Sequence, residues 1–234
     1  MSAIFRREFR SYFTSLIGYV FLAIMLFFEL LFFMAIYTSG STDITLAISM
    51  LPTIMTFTIP VLTMRMLSED RRLKVDQALL TAPVSIAKIV MGKFFATFTV
   101  FAISLTPTLF FQIMIALKVS VNWLVFLNAV LGLILLGAVL IAIGMFISSL
   151  TESLVISCIL TLVIFLLINL IMPSLSSIIT AEWAVPVAEY TALFNLYNNF
   201  TESVFHITDV VYFLTLIFVF CFLTVRVVEK RRWA

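Results

Sequence analysis

Charge is scarce in this chain: Asp, Glu, Lys and Arg together make up 11% of its 234 residues. An ordinary soluble domain carries about twice that share. Histidine occurs once, at His206, which excludes the ligand cluster of a membrane metalloprotease. The two cysteines, Cys158 and Cys221, lie in separate apolar stretches without paired spacing, so they read as small buried hydrophobes rather than a metal or redox pair. The Gly-x-x-x-x-Gly-Lys-Ser/Thr pattern that cradles a nucleotide phosphate is missing, since Gly92-Lys93 is followed by Phe94 and lacks the earlier glycine. Gly-x-Ser-x-Gly is missing too. No catalytic set is visible, and the chain is not expected to be an enzyme by itself.

Apolar sequence takes the place of all this. Hydrophobic residues account for 63%, phenylalanine alone for 25 positions, and the mean hydropathy is +1.22. Such a chain is an integral membrane protein. A helix crosses the roughly 30 Å hydrocarbon core with about 20 residues, and about six runs of that kind are present. They fall near 15–37, 44–64, 86–116, 122–148, 153–172 and 209–228 in a single transmembrane domain over 1–234. The runs are apolar on every side rather than alternating, so the fold class is all-α and polytopic. The first run is too long for an export signal and has no small-residue cleavage site, so it reads as a retained span.

Six spans place every basic residue except Lys118, out of 14, on one face. By the positive-inside rule that face is cytoplasmic, together with both termini. The other face receives Asp43, Glu182, Glu189, Glu202 and Asp209.

The longest polar interruption near the middle is Arg65 to Lys93. Ser68 suits an N-cap, and Glu69 and Asp70 put negative charge in the first helical turn, where the dipole favours it. Asp70 to Lys74 and Arg72 to Asp76 are i,i+4 pairs. Pro83 ends the helix. Val75, Ala78, Leu79 and Ala82 share a face, so 68–82 is predicted as a short amphipathic helix, after which Ser85 caps the next span with Lys88 and Lys93 at its polar end.

Elsewhere, Phe5, Phe9, Tyr12, Phe13 and Leu16 share a helical face that Arg6, Arg7 and Arg10 avoid. That suits either a helix in the membrane interface, arginines toward lipid headgroups, or a basic flank of the first span. Glu29 is the one acid well inside a proposed span, which makes it a candidate pathway residue; a carboxylate in the outer half that reaches water or a hydroxyl is the other reading. Pro52, Pro60 and Pro107 kink their spans, and Thr106 and Thr108 can satisfy freed carbonyls. Gly132, Gly137 and Gly144, with Ala138, Ala142 and Ser148, form small-residue stripes for close packing. Gln112, Asn128 and Asn169 read as interhelical hydrogen-bonding groups, with Gln112 the second pathway candidate. SSLTES around Glu152 is a tight turn. The segment 173–208 is apolar enough for short helices dipping into the outer interface, with its Trp and Tyr residues, Tyr197 among them, at headgroup level. Asn199-Phe200-Thr201 fits a glycosylation sequon, which matters only in a eukaryotic secretory setting.

LTMR at Leu62–Arg65, SEDRR at Ser68–Arg72, LLTAPVS at Leu79–Ser85 and Gly92-Lys93 resemble the permease subunits of type-2 ABC transporters, most closely the gliding-motility-type group. The span layout, basic termini and long apolar segment before the last span extend that resemblance over nearly the whole chain. It implies a bacterial inner-membrane permease that couples ATP hydrolysis on a partner ATPase dimer, which holds ATP and Mg, to export. It also implies a second permease subunit, identical or different, and leaves room for an exterior accessory protein. Lipid is the remaining partner, and nucleic acid is not one. The first amphipathic stretch becomes a connecting helix and the exterior segment partly re-entrant helices. Glu69, Arg71, Arg72, Val75, Asp76, Gln77 and Leu79 become the ATPase-contacting residues of a coupling helix. Relatives usually follow the basic pair with Gly-Thr and then an acid; here Lys74, Val75, Asp76 and Gln77 stand instead. A membrane anchor for a surface or motility assembly is the alternative function.

Overall fold

A computed structural model describes residues 2–39, 45–74, 85–117, 121–171, 193–201 and 206–232. These form α1 (Ser2–Thr14), α2 (Leu16–Ser39), α3 (Thr45–Thr63), α4 (Ser68–Arg72), α5 (Ile86–Ser104), α6 (Thr106–Ala116), α7 (Trp123–Leu150), α8 (Leu154–Leu166), α9 (Leu193–Thr201) and α10 (Ile207–Arg232). No strand occurs among the described residues. The protein is an all-α, multi-pass membrane protein. Five stretches are long and apolar enough to cross a bilayer: Leu16–Thr38, Leu46–Arg72, Ile86–Ala116, Trp123–Leu150 and Ile207–Lys230. The stretch from Leu154 to Asn169 is shorter, and α8 there runs into a π-helical turn at Leu167–Ile171.

Helix α7 is the central pillar, touching α3, α5, α8, α9 and α10. It can do so because its small residues let neighbours approach. A Cβ at Gly137 would overlap the Phe101 ring, and one at Gly144 would overlap the Thr63 side chain. These are the close contacts that the small-residue spacing predicts. Outside this pillar, α2 and α10 keep exposed rows of large apolar side chains, from Phe27 and Leu30 to Phe218 and Phe222, as surfaces that face lipid or another apolar partner do.

The prolines act differently from one another. Pro107 breaks its span outright, so α5 ends at Ser104 and α6 begins at Thr106 with the proline in its first turn, where its missing N–H costs nothing. Thr108 Oγ1 is buried without a hydrogen bond, so it does not satisfy a freed carbonyl as the sequence suggested. Pro52 stays within α3. It leaves the Ile48 carbonyl without its helical donor, and the Tyr197 hydroxyl, on α9, donates to that carbonyl at 3.3 Å. Tyr197 is therefore fully buried in the bundle. Asn199, the sequon residue, donates to Asp209 at 2.9 Å. Of the segment 173–208, residues 173–192 and 202–205 lie outside the described residues, as does Lys118.

Candidate functional site

The basic end of the bundle is where the polar sequence collects. Helix α3 ends at Thr63 and the chain turns into the five-residue α4. Ser68 does not cap it. Ser68 is the first residue of α4, and its hydroxyl turns back to the Met64 carbonyl. The cap comes from α7: Ser148 Oγ accepts from Leu67 N and Ser68 N, both at 3.1 Å, and donates to Met64 O at 3.1 Å. One hydroxyl thus serves the C-terminus of α3 and the N-terminus of α4, the two helix ends that leave backbone groups unpaired. The stripe that admits Thr63 at Gly144 brings Ser148, one turn on, against this corner.

Helix α4 also stops sooner than predicted. Leu73 closes it and Lys74 takes φ 55°, a left-handed conformation that ends a helix. Asp70 does not pair with Lys74, which is exposed. It pairs instead with Lys93 of α5 at 2.8 Å, and Lys93 reaches Glu8 of α1 at 3.0 Å. The lysine side chain is 2% exposed, so this ammonium is held by two carboxylates rather than by water. Isolated burial of such a charge is costly, and two opposite charges make it tolerable. Space for the arrangement comes from Gly92, where a Cβ would sit 3.0 Å from the Ile4 side chain of α1.

Arg65 ties the same corner to α1. It pairs with Glu69 at 2.7 Å, donates to Ser11 Oγ at 3.1 Å and to Ser15 Oγ, and lies 5.8 Å from the centre of the Tyr12 ring. Tyr12 is not part of a lipid-facing aromatic row. Its hydroxyl donates to the Leu62 carbonyl at 3.2 Å and lies 2.9 Å from Thr97 Oγ1; burial pushes its phenol well above the usual range. Phe5, Phe9 and Phe13 do form a row, their ring centres 5.9 and 5.1 Å apart. Farther along, Arg71 pairs with Glu152 in the turn between α7 and α8 at 2.6 Å.

Burial raises the Glu8 carboxyl, but Lys93 and Arg7 beside it outweigh that and hold it below the ordinary value of 4.5. It is therefore an anion at neutral pH, as the pairing with Lys93 requires.

Of the predicted contact residues, Glu69 and Arg71 are bound into this corner, while Arg72 is exposed. Val75, Asp76, Gln77 and Leu79 lie outside the described residues, with all of 75–84. Sequence reasoning missed Glu8, and it named Tyr12, Lys93 and Ser148 without the partners they have here. Glu8 left one signal, being the lone acid among Arg6, Arg7 and Arg10.

A second polar feature sits inside the bundle. Glu29 is 4% exposed and neither of its oxygens has a hydrogen-bond partner. It lines a pocket of about 10 Å³ with Phe33, Ile48, Leu51, Thr108 and Phe111, room for about one water molecule. The Phe33 and Phe111 rings stack there at 4.6 Å. Gln112, one turn beyond Thr108, is fully buried with both amide atoms unpartnered. Glu29 and Thr108 share the pocket; Gln112 does not line it. Among the described residues no interhelical bond of Gln112, Asn128 or Asn169 is seen. Asn128 Nδ2 is unpartnered, and Asn169 bonds to Phe165 O one turn back on its own helix. Glu29 on α2 and Thr108 and Gln112 on α6 carry unpartnered buried atoms.

Among the described residues no three His, Cys, Asp or Glu side chains come together as metal ligands. No curated protein shows a significant match to the chain. A family model does, from residue 2 to residue 232: the chain belongs to the ABC-2 family of transporter proteins, as a membrane permease component of an ABC transporter.

Proposed function

We propose that the chain is the permease half of an ATP-driven exporter in a bacterial inner membrane, with both termini cytoplasmic and the basic end of the bundle facing a partner ATPase dimer. ATP and Mg sit on that partner. The gliding-motility-type resemblance of the central stretch supports a place among exporters of that group. Two permease subunits enclose the pathway, which Glu29 and Gln112 face when it opens.

The observation that carries this reading is the fixation of α4. A coupling helix must move as one with the spans if it is to transmit a push from an ATPase. Four separate elements grip this five-residue helix and the turn before it: α7 through Ser148, α5 through Lys93, α1 through Ser11, and the α7–α8 turn through Glu152. Its Arg72 stays exposed beside the 75–82 stretch, which carries the predicted apolar docking face.

Reconstitution tests it. The chain is placed in proteoliposomes with its partner ATPase, and ATP turnover is compared with that of the ATPase alone. Turnover that depends on the permease supports the reading. An ATPase that binds the permease yet turns over at the same rate with and without it favours the anchor function.

A further inference from the structure

Helix α1 shows three sides, because positions four apart stack on one face of a helix. Ile4, Glu8 and Tyr12 turn inward: Ile4 lies against Gly92, Glu8 on Lys93, and Tyr12 on Thr97. Phe5, Phe9 and Phe13 form the second side, half-buried, and their row ends on Tyr19 of α2, 5.7 Å from Phe13 and 55% exposed. The third side is basic. Ala3, Arg6, Arg7, Arg10, Ser11 and Thr14 line an open groove of roughly 800 Å³. Arg7 is already paired with Glu8, but Arg6 and Arg10 are exposed and neither is ion-paired among the described residues. No contact of the fold requires two cations one turn apart at this place.

We infer that this groove binds the phosphate headgroup of an anionic phospholipid, with Arg6 and Arg10 as its ligands and the phenylalanine row lying along the acyl chains. Charge complementarity selects an anion, and the aromatic row beside the arginines selects a lipid over a free phosphate. A helix with an apolar edge next to a cationic edge settles in the interface, where each basic residue adds affinity for anionic headgroups. The site also has a mechanical address. Glu8 on the same helix holds Lys93, which holds Asp70 of α4. If the transporter reading above is right, the lipid therefore bears on the coupling helix.

The test uses the purified permease alone, so its failure is distinct from a failure of the transporter reading. The protein in neutral detergent is titrated with phosphatidylglycerol, phosphatidylcholine or inorganic phosphate while its unfolding temperature is followed. The inference expects a saturable rise with phosphatidylglycerol only. Arg6→Gln/Arg10→Gln should unfold at the wild-type temperature without lipid and need about thirtyfold more phosphatidylglycerol for the same rise. Arg6→Lys/Arg10→Lys should keep most of the response. An equal rise with phosphatidylcholine, a rise with inorganic phosphate alone, or an unchanged response in the glutamine variant overturns the site. So does a lower unfolding temperature of that variant without lipid, which makes the arginines structural.

Discussion

The ammonium of Lys93 on α5 lies 2.8 Å from the Asp70 carboxylate on α4, buried where α1, α4 and α5 meet. Because Glu8 holds the same ammonium from the other side, removing the lysine leaves two carboxylates facing one another. Lys93→Met should therefore cost about 3 kcal/mol, as expected when a buried pair loses one member. Neutralising the partners as well, in Lys93→Met/Glu8→Gln/Asp70→Asn, should restore most of it. Unfolding in mixed detergent measures both. A triple variant no more stable than the single one contradicts the pairing.

Glu8 gives this cluster a pH dependence. Its folded value lies below the ordinary 4.5, so its contribution is complete above the unfolded value and is lost as pH falls through the folded one. Unfolding temperature should hold from neutral pH down to the ordinary carboxylate range and then drop. In Glu8→Gln it should start lower at neutral pH, and the acid drop should be shallower. An acid limb of the same depth in Glu8→Gln would assign the loss to other carboxylates.

Ser148 is the least expected part of the corner. Its hydroxyl is the acceptor for two amides at the start of α4, so Ser148→Ala should cost about 2 kcal/mol by leaving buried donors unpaired. It should also speed hydrogen exchange at Leu67 and Ser68 while leaving α10 protected. Uniform exchange across both would refute the cap.

How far the sequence reached can be read from these residues. An all-α membrane fold was legible because composition and unbroken apolar runs decide it without tertiary detail. Gly144 and Ser148 were legible as a packing stripe, since spacing alone aligns them. What Ser148 does was not, because its partners lie about 80 residues away in sequence. A local reading gave the cap to Ser68, the nearest hydroxyl. Tyr12 was grouped with Phe5 and Phe9 for the same reason: periodicity places a side chain on a face, yet only packing shows that Leu62 and Thr97 wait on one edge of it. Lys93 looked like a cation at the membrane rim because its two acids come from other helices.

Glu29 is a candidate pathway residue. Its oxygens are unpartnered in a pocket too small for anything beyond about one water, so Glu29→Gln keeps the shape and removes the ionisable group. Membrane abundance should stay near wild type, with stability within about 1 kcal/mol, while transport-linked ATP turnover changes. Normal abundance with unchanged turnover would make Glu29 a packing residue.

The central claim is that the stretch beginning at Ser68 docks an ATPase, and Leu79→Asp tests it most directly. If Leu79 belongs to a docking face, charge there should cost within about 0.5 kcal/mol in folding, whereas an unpaired charge desolvated at an interface costs several kcal/mol. ATPase pull-down and membrane abundance should be measured on the same preparation. The account predicts that Leu79→Asp keeps wild-type abundance and releases the ATPase or uncouples its hydrolysis from transport. Lower abundance, with the surviving protein still holding a fully coupled ATPase, would contradict it.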